Sequence, residues 1–192
     1  DFSSTNQALG WYYLGIHHHN EACRLKDDEK ASSLLNQAAA SFEIAYDLFK
    51  ENRHFLLVET KNNLFHIYAR LKDVAFMKRA HLKLQEIITE STQDEELSLS
   101  YYTSALVALK LNELDSDYQL LNEAENRLIH IKNSYPKCSI ADHSLQLLGS
   151  LYFMKRDYKE SLKIFSDLIQ TYPKSSLGAD ALYWSARSLE EM

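Results

Sequence analysis

Residues 139–173 read Ser-Ile-Ala-Asp-His-Ser-Leu-Gln-Leu-Leu-Gly-Ser-Leu-Tyr-Phe-Met-Lys-Arg-Asp-Tyr-Lys-Glu-Ser-Leu-Lys-Ile-Phe-Ser-Asp-Leu-Ile-Gln-Thr-Tyr-Pro. Leu145, Leu148 and Tyr152 recur at the spacing of one helical face, and Ser161 and Phe165 do the same beyond a polar break. Gly149 and Ser161 lack bulk, so two antiparallel helices carrying them can close on one another. Leu148, Tyr152 and Phe165 fill the space around that contact, and Pro173 ends the second helix.

The N-terminal part repeats the arrangement. Trp11, Leu14, Gly15 and His18 are followed by Ala38, Phe42 and Ala45. His18 to Ala38 is 20 residues, against 9 from Tyr152 to Ser161, which predicts that both helices of the first pair run on for an extra turn or more. This spacing resembles the tetratricopeptide repeat (TPR), with Leu145 in the usual Trp slot, Ser161 in the usual Ala slot and His18 replacing the usual Tyr.

Between these copies the evidence is periodicity. Leu57, Leu64, Ile67, Tyr68 and Leu71 share one face of a helix over about 54–71. A partner follows at 75–90, although Phe65 sits where the repeat wants Gly. Asp94, Glu95 and Glu96 suit the positive end of a helix dipole before the apolar run Leu97–Leu114. Asp115, Ser116 and Asp117 offer caps to a helix over 116–134 with the stripe Tyr118, Leu121, Ala124, Leu128 and Ile131. Ser139 and Asp142 have the spacing of a capping box. The expectation is an all-α fold: an α-α superhelix, a TPR-like solenoid, of about nine antiparallel helices in one domain over 1–192. Its pairs cover about 5–50, 54–90, 95–134 and 139–173, with a final helix over 176–191. In that last helix Ala186 falls where Gly149 falls, and Trp184 and Leu189 offer apolar surface.

Composition agrees. Four Gly and two Pro in 192 residues leave little room for hairpins or long loops. The net charge of −6 is mixed along the chain without a basic stripe, which argues against a nucleic-acid surface. The longest uncharged run, Leu97–Leu109, is too short to span a bilayer. Cys23 and Cys138 lie outside any metal or redox spacing and read as small buried or half-buried residues. The chain begins at Asp1 without Met and stops at Met192 within a helical pattern, which predicts a trimmed piece of something longer.

Tyr135-Pro136-Lys137-Cys138-Ser139 and Tyr172-Pro173-Lys174-Ser175-Ser176 are near-copies 37 residues apart, each followed by an acid in the next first turn. With Ala141-Asp142 and Ala179-Asp180-Ala181, they resemble a bacterial subgroup of TPR proteins. That subgroup comprises repeats of outer-membrane assembly lipoproteins and of the periplasmic Tol–Pal accessory protein. The resemblance covers about 133–192, and it implies a non-catalytic scaffold in the bacterial periplasm or at the outer-membrane periphery. TPR arrays hold a peptide or helix of a partner protein on the concave face made by the first helix of each pair. Carried onto this chain, the inward-facing residues are Tyr12, Ile16 and His19, then Asn62, His66 and Arg70. Residues 139–173 add His143, Gln146, Ser150 and Phe153, and the last helix adds Tyr183 and Arg187. The Lys and Asn set that clamps a chaperone's C-terminal carboxylate in some TPR domains is not reproduced.

No catalytic constellation stands out, so no enzyme activity, cofactor or metal is expected. His17, His18 and His19 point about 100° apart on a helix and cannot converge on one ion. Glu43, Asp47 and Glu51, four apart, read as a solvated row. Tyr12, Tyr13, Tyr101 and Tyr102 divide between core and a binding groove. The rival reading is a regulatory or sensory TPR domain of a larger cytoplasmic protein such as an enzyme, transcription factor or secretion chaperone.

Overall fold

The computed structural model describes the backbone of residues 2–115 and 118–192 and the side chains of 3–114 and 119–192. Among these residues nine helices follow one another without a strand: α1 (Phe2–Arg24), α2 (Asp28–Glu51), α3 (Leu57–Tyr68), α4 (Val74–Glu90), α5 (Asp94–Asp115), α6 (Tyr118–Ser134), α7 (Ala141–Met154), α8 (Tyr158–Thr171) and α9 (Gly178–Glu191). This is the all-α helical-repeat fold that the spacing predicts. The helices fall into two compact units, Asp1–Lys83 and Leu84–Met192, with the division inside α4.

The first unit is organised on the crossing of α1 and α2. A methyl built on Gly15 would lie 2.9 Å from the Phe42 ring, so only hydrogen fits there. Ala38, Ala39, Phe42, Ala45, Tyr46 and Phe49 line the inner side of α2. The predicted extra length is all helical: α1 runs nine residues past Gly15 where α7 runs five past Gly149, and α2 has fourteen residues before Phe42 where α8 has seven before Phe165. Asp27 caps α2, its carboxylate accepting the Glu29 and Lys30 N–H groups at 3.0 and 3.1 Å. Arg53, just after α2, takes a left-handed φ of 49°, the conformation that closes many helix C-termini. Leu64, Phe65, Ile67 and Tyr68 carry α3 into the core. Phe65, which stands where the crossings at Gly15 and Gly149 have glycine, is buried, and α3 and α4 are not among the closely packed neighbours.

The second unit repeats the crossing. A methyl on Gly149 would lie 2.8 Å from Phe165, and the Ser161 hydroxyl donates to the Gly149 carbonyl at 2.9 Å. The small residue on α8 is therefore a steric fit and a hydrogen-bonded tie at once. Leu128, Leu145, Leu148, Leu151, Ile164 and Leu168 surround it in one core. Helix α5 is buried on several sides, and two of its serines bond back within the helix: Ser98 Oγ donates to the Glu95 carbonyl at 2.9 Å and Ser100 Oγ to the Glu96 carbonyl at 2.7 Å. Asp157 caps α8 through the Glu160 N–H at 3.2 Å. Arg156 supplies the left-handed residue, φ 60°, that turns α7 into α8.

One local expectation changes. The capping box at Ser139 and Asp142 does not form, because both side chains have better acceptors and donors elsewhere. Ser139 gives its N–H to Glu95 at 3.1 Å and its hydroxyl to the same carboxylate, while Asp142 accepts the Ser175 hydroxyl at 2.6 Å. Each Tyr-Pro-Lys loop thus folds back onto the first turn of its own pair's leading helix. Tyr172 also donates to the Pro136 carbonyl at 2.6 Å, joining the two copies. The caps expected at Asp115, Ser116 and Asp117, and the Tyr118 side chain, lie outside the described residues.

Candidate functional site

Helices α1 and α3 run side by side in a parallel register, and the offset is visible in their contacts. Asn52 donates to the Ser4 hydroxyl, Tyr12 meets Glu59 and Asn63, and Arg70 meets His19 and Cys23. Asn62, His66 and Arg70 are four residues apart, share one face of α3 and its C-terminal extension, and are exposed. Arg70 Nη1–H donates to Cys23 Sγ at 3.3 Å and to His19 Nε2 at 3.5 Å, and Cys23 Sγ lies 3.7 Å from the same nitrogen. Burial, then the nearby Arg70 and His66, lower the His19 pKa below the usual imidazole value. The structure therefore brings His19, His66 and Arg70 together, with Asn62 one turn away.

Tyr12 does not join them. Only 3% exposed, it packs edge-on against Phe42 and Phe49 at 5.7 and 6.1 Å between centroids. Burial, then its bond to Glu59, raise its pKa well above the phenol value. It is a core residue because the ring is long enough to cross from α1 to the inner side of α2. Ile16 is half-buried.

In the second unit Gln146, Ser150 and Phe153 lie along α7, with Tyr183 and Arg187 on α9. Phe153 is half-buried and stacks edge-on against Trp184 at 5.1 Å and Tyr158 at 5.2 Å. Tyr183 is 59% exposed, and Arg187 is held by Glu190 and Glu191 at 3.1 and 3.5 Å. Gln146 Oε1 is shut away from solvent without a hydrogen-bond partner. His143 is exposed and bonded to its neighbour Asp142 at 2.8 Å. Trp184 is half-buried, edge-on against Phe153 and packed against the core of the unit, whereas Leu182, Leu189 and Ala186 on the same helix are exposed.

Of the acidic row of α2, Asp47 and Glu51 are exposed as the spacing suggests, and Glu43 is not. Glu43 is 4% exposed, accepts the Tyr68 hydroxyl at 2.8 Å and pairs with Arg79. Asp47 pairs with Lys83 at 2.5 Å, and the Lys83 ammonium also lies 4.8 Å from the Tyr46 ring. These acids tie α2 to α3 and α4. Burial beside Glu43 drives the Tyr68 pKa far upward. The signal was present in Ala39, Glu43 and Tyr46, whose spacing continues the inner face of α2. Cys23 is exposed, not buried, because it lies beyond Ala22, the last buried residue of α1.

Other electrostatics are structural. The Ser139 hydroxyl bond holds Glu95 below the ordinary carboxylate value. Burial pushes Asp142 up, but bonds from Ser175 and His143 outweigh it and leave the pKa lowered. Tyr152 is pushed up to about 12, first by burial and then by its bond to Glu125. Among the described residues no group of three or more His, Cys, Asp or Glu is placed to hold a metal ion. No helix among them is long and apolar enough to cross a membrane.

Residues 143–175, which cover nearly all of α7 and α8 and the loop after them, match the profile of the tetratricopeptide repeat. Comparison with curated proteins gives no match for the chain.

Proposed function

We propose, with a tetratricopeptide repeat over α7 and α8 as the premise, that this chain is a non-catalytic adaptor holding a peptide or helix of another protein. Such repeats generally mediate protein–protein interaction, and the repeat at 143–175 is the observation that carries the reading. The rows on the leading helices support it: exposed Asn62, His66 and Arg70 with half-buried His19 in the first unit, and exposed Tyr183 with half-buried Arg187 in the second. Gln146, Ser150 and Phe153 line α7 beside the second row. The proposed setting is a bacterial cell-envelope assembly, on the strength of the Tyr135-Pro136-Lys137 and Tyr172-Pro173-Lys174 copies. Nucleic acid is not the proposed partner, because the chain carries 27 acids against 21 Lys and Arg.

The test is affinity capture from a bacterial extract with the wild-type chain, with Asn62→Ala/Arg70→Ala, and with Tyr183→Ala/Arg187→Ala. At least one double variant should lose a discrete captured protein while its circular dichroism stays that of the wild type. Capture unchanged by both would refute binding through these rows.

A further inference from the structure

The α3 row holds its cation without a carboxylate partner, unlike several other arginines of the chain. Arg24, Arg79, Arg127 and Arg187 each sit against a carboxylate. Arg70 does not: its partners are a thiol sulfur and an imidazole nitrogen, both weak acceptors for a guanidinium. His66 and Asn62 continue the face with further donors and no acid among them. His19, held toward its neutral form by burial and by Arg70 and His66, adds an acceptor and no compensating negative charge.

We propose that Arg70, His66 and Asn62 form a docking row for an acidic peptide segment, with a Glu or Asp side-chain carboxylate of the partner seated on the Arg70 guanidinium. This deepens the adaptor reading and rests on it. Charge complementarity selects the occupant. A planar guanidinium accepts a carboxylate through two parallel hydrogen bonds, and the fork of Arg70 is only partly used. His66, one turn back, is placed to donate to the same acid or to the next one along a helical or extended segment. The chain has net charge −6, so attraction of an acidic segment has to come from a local cation such as Arg70 and not from the overall charge. A single guanidinium does not make the cluster of cations that a phosphate backbone needs.

The test is selection from a library of N-acetylated, C-amidated peptides in which each sequence occurs in Glu, Gln and phosphoserine versions. Bait proteins are the wild-type chain, Arg70→Gln, Arg70→Lys and, as a control on the same unit, Arg24→Gln. The wild type and Arg24→Gln should retain Glu versions about tenfold over their Gln counterparts, with the ratio falling as salt is raised. Arg70→Gln should bring the ratio to about one, and Arg70→Lys should leave it between the two. Circular dichroism of each variant should match the wild type, since Arg70 is exposed. Peptides retained without regard to Glu, or a Glu preference that survives Arg70→Gln, would overturn the acidic row while leaving the adaptor reading intact. Phosphoserine versions retained over Glu through Arg70 would overturn it in favour of a phosphopeptide. No peptide retained by the wild type would overturn both.

Discussion

Gly10→Ala and Gly15→Ala place the same methyl group five residues apart on one helix, and the structure assigns them different effects. Nothing lies within 4 Å of a Cβ at Gly10, whereas at Gly15 three atoms of the Phe42 ring lie 2.9, 2.9 and 3.0 Å away. In a helix interior alanine is favoured over glycine by about 0.8–1.0 kcal/mol, so Gly10→Ala should stabilise the first unit by about that much. At Gly15 the ring has to retreat by roughly 0.6–1 Å to reach an ordinary carbon–carbon contact. It has little room to do so, being fully buried with Tyr12 edge-on against it at 5.7 Å. Overpacking of this kind costs about 1–3 kcal/mol. Set against the propensity gain, Gly15→Ala should range from neutral to about 2 kcal/mol destabilising, about 1–3 kcal/mol below Gly10→Ala. Urea denaturation followed by far-ultraviolet circular dichroism reads the difference as a shift in midpoint. Phe42→Leu should cost less in the Gly15→Ala background than alone, because the smaller side chain relieves the clash. Equal stabilisation by both alanines would show that the α1–α2 crossing is not set by contact between Gly15 and Phe42.

Gly149→Ala should behave like Gly15→Ala, since its methyl would lie 2.8 Å from Phe165, and the same denaturation measurement checks it. Tyr68→Phe should cost about 1.5–3 kcal/mol by removing a buried hydrogen bond to a carboxylate, and its effect should shrink in a Glu43→Gln background. Acid should weaken the second unit through Glu95 and Asp142. Both pKa values are lowered by folding, so their contribution is present above the ordinary carboxylate range and lost as pH falls through the lowered folded values. Glu95→Gln should flatten that acid limb in melting temperature against pH. Asp27→Ala should cost about 1 kcal/mol and show as faster amide exchange at Glu29 and Lys30, whose N–H groups lose their acceptor.

The elements that sequence reasoning found are those governed by neighbours along the chain or by a steric necessity. Helical periodicity and the repeat spacing gave the outer bounds of all four pairs and of the last helix to within three residues. The glycine slots at 15 and 149 marked the two crossings, with Phe165 among the residues expected to fill the space around one of them. What escaped depends on elements that arrive from elsewhere. Glu43 looks like one of a row of surface acids until α3 delivers the Tyr68 hydroxyl and α4 the Arg79 guanidinium. Ser139 looks like a cap until Glu95, forty-four residues earlier, takes its hydrogen bonds. The motif register put Tyr12 on the binding side, and the length of its ring carried it into the core. Cys23 stands four residues after His19, so its place beside Arg70 was readable from α1 alone once α3 was set alongside. The partner leaves no comparable trace, since a surface that binds need satisfy no rule of folding.

The tip of the first pair has a practical consequence. From Cys23 through Leu34 no residue is buried, yet the hairpin there is helical on both sides of a three-residue bend and closed by the Asp27 cap. Helix length at that end is decoupled from the crossing at Gly15, which sets how the two rods meet. A short peptide tag or fluorophore attachment site inserted between Leu25 and Asp27 would therefore report on this protein without touching what holds it folded.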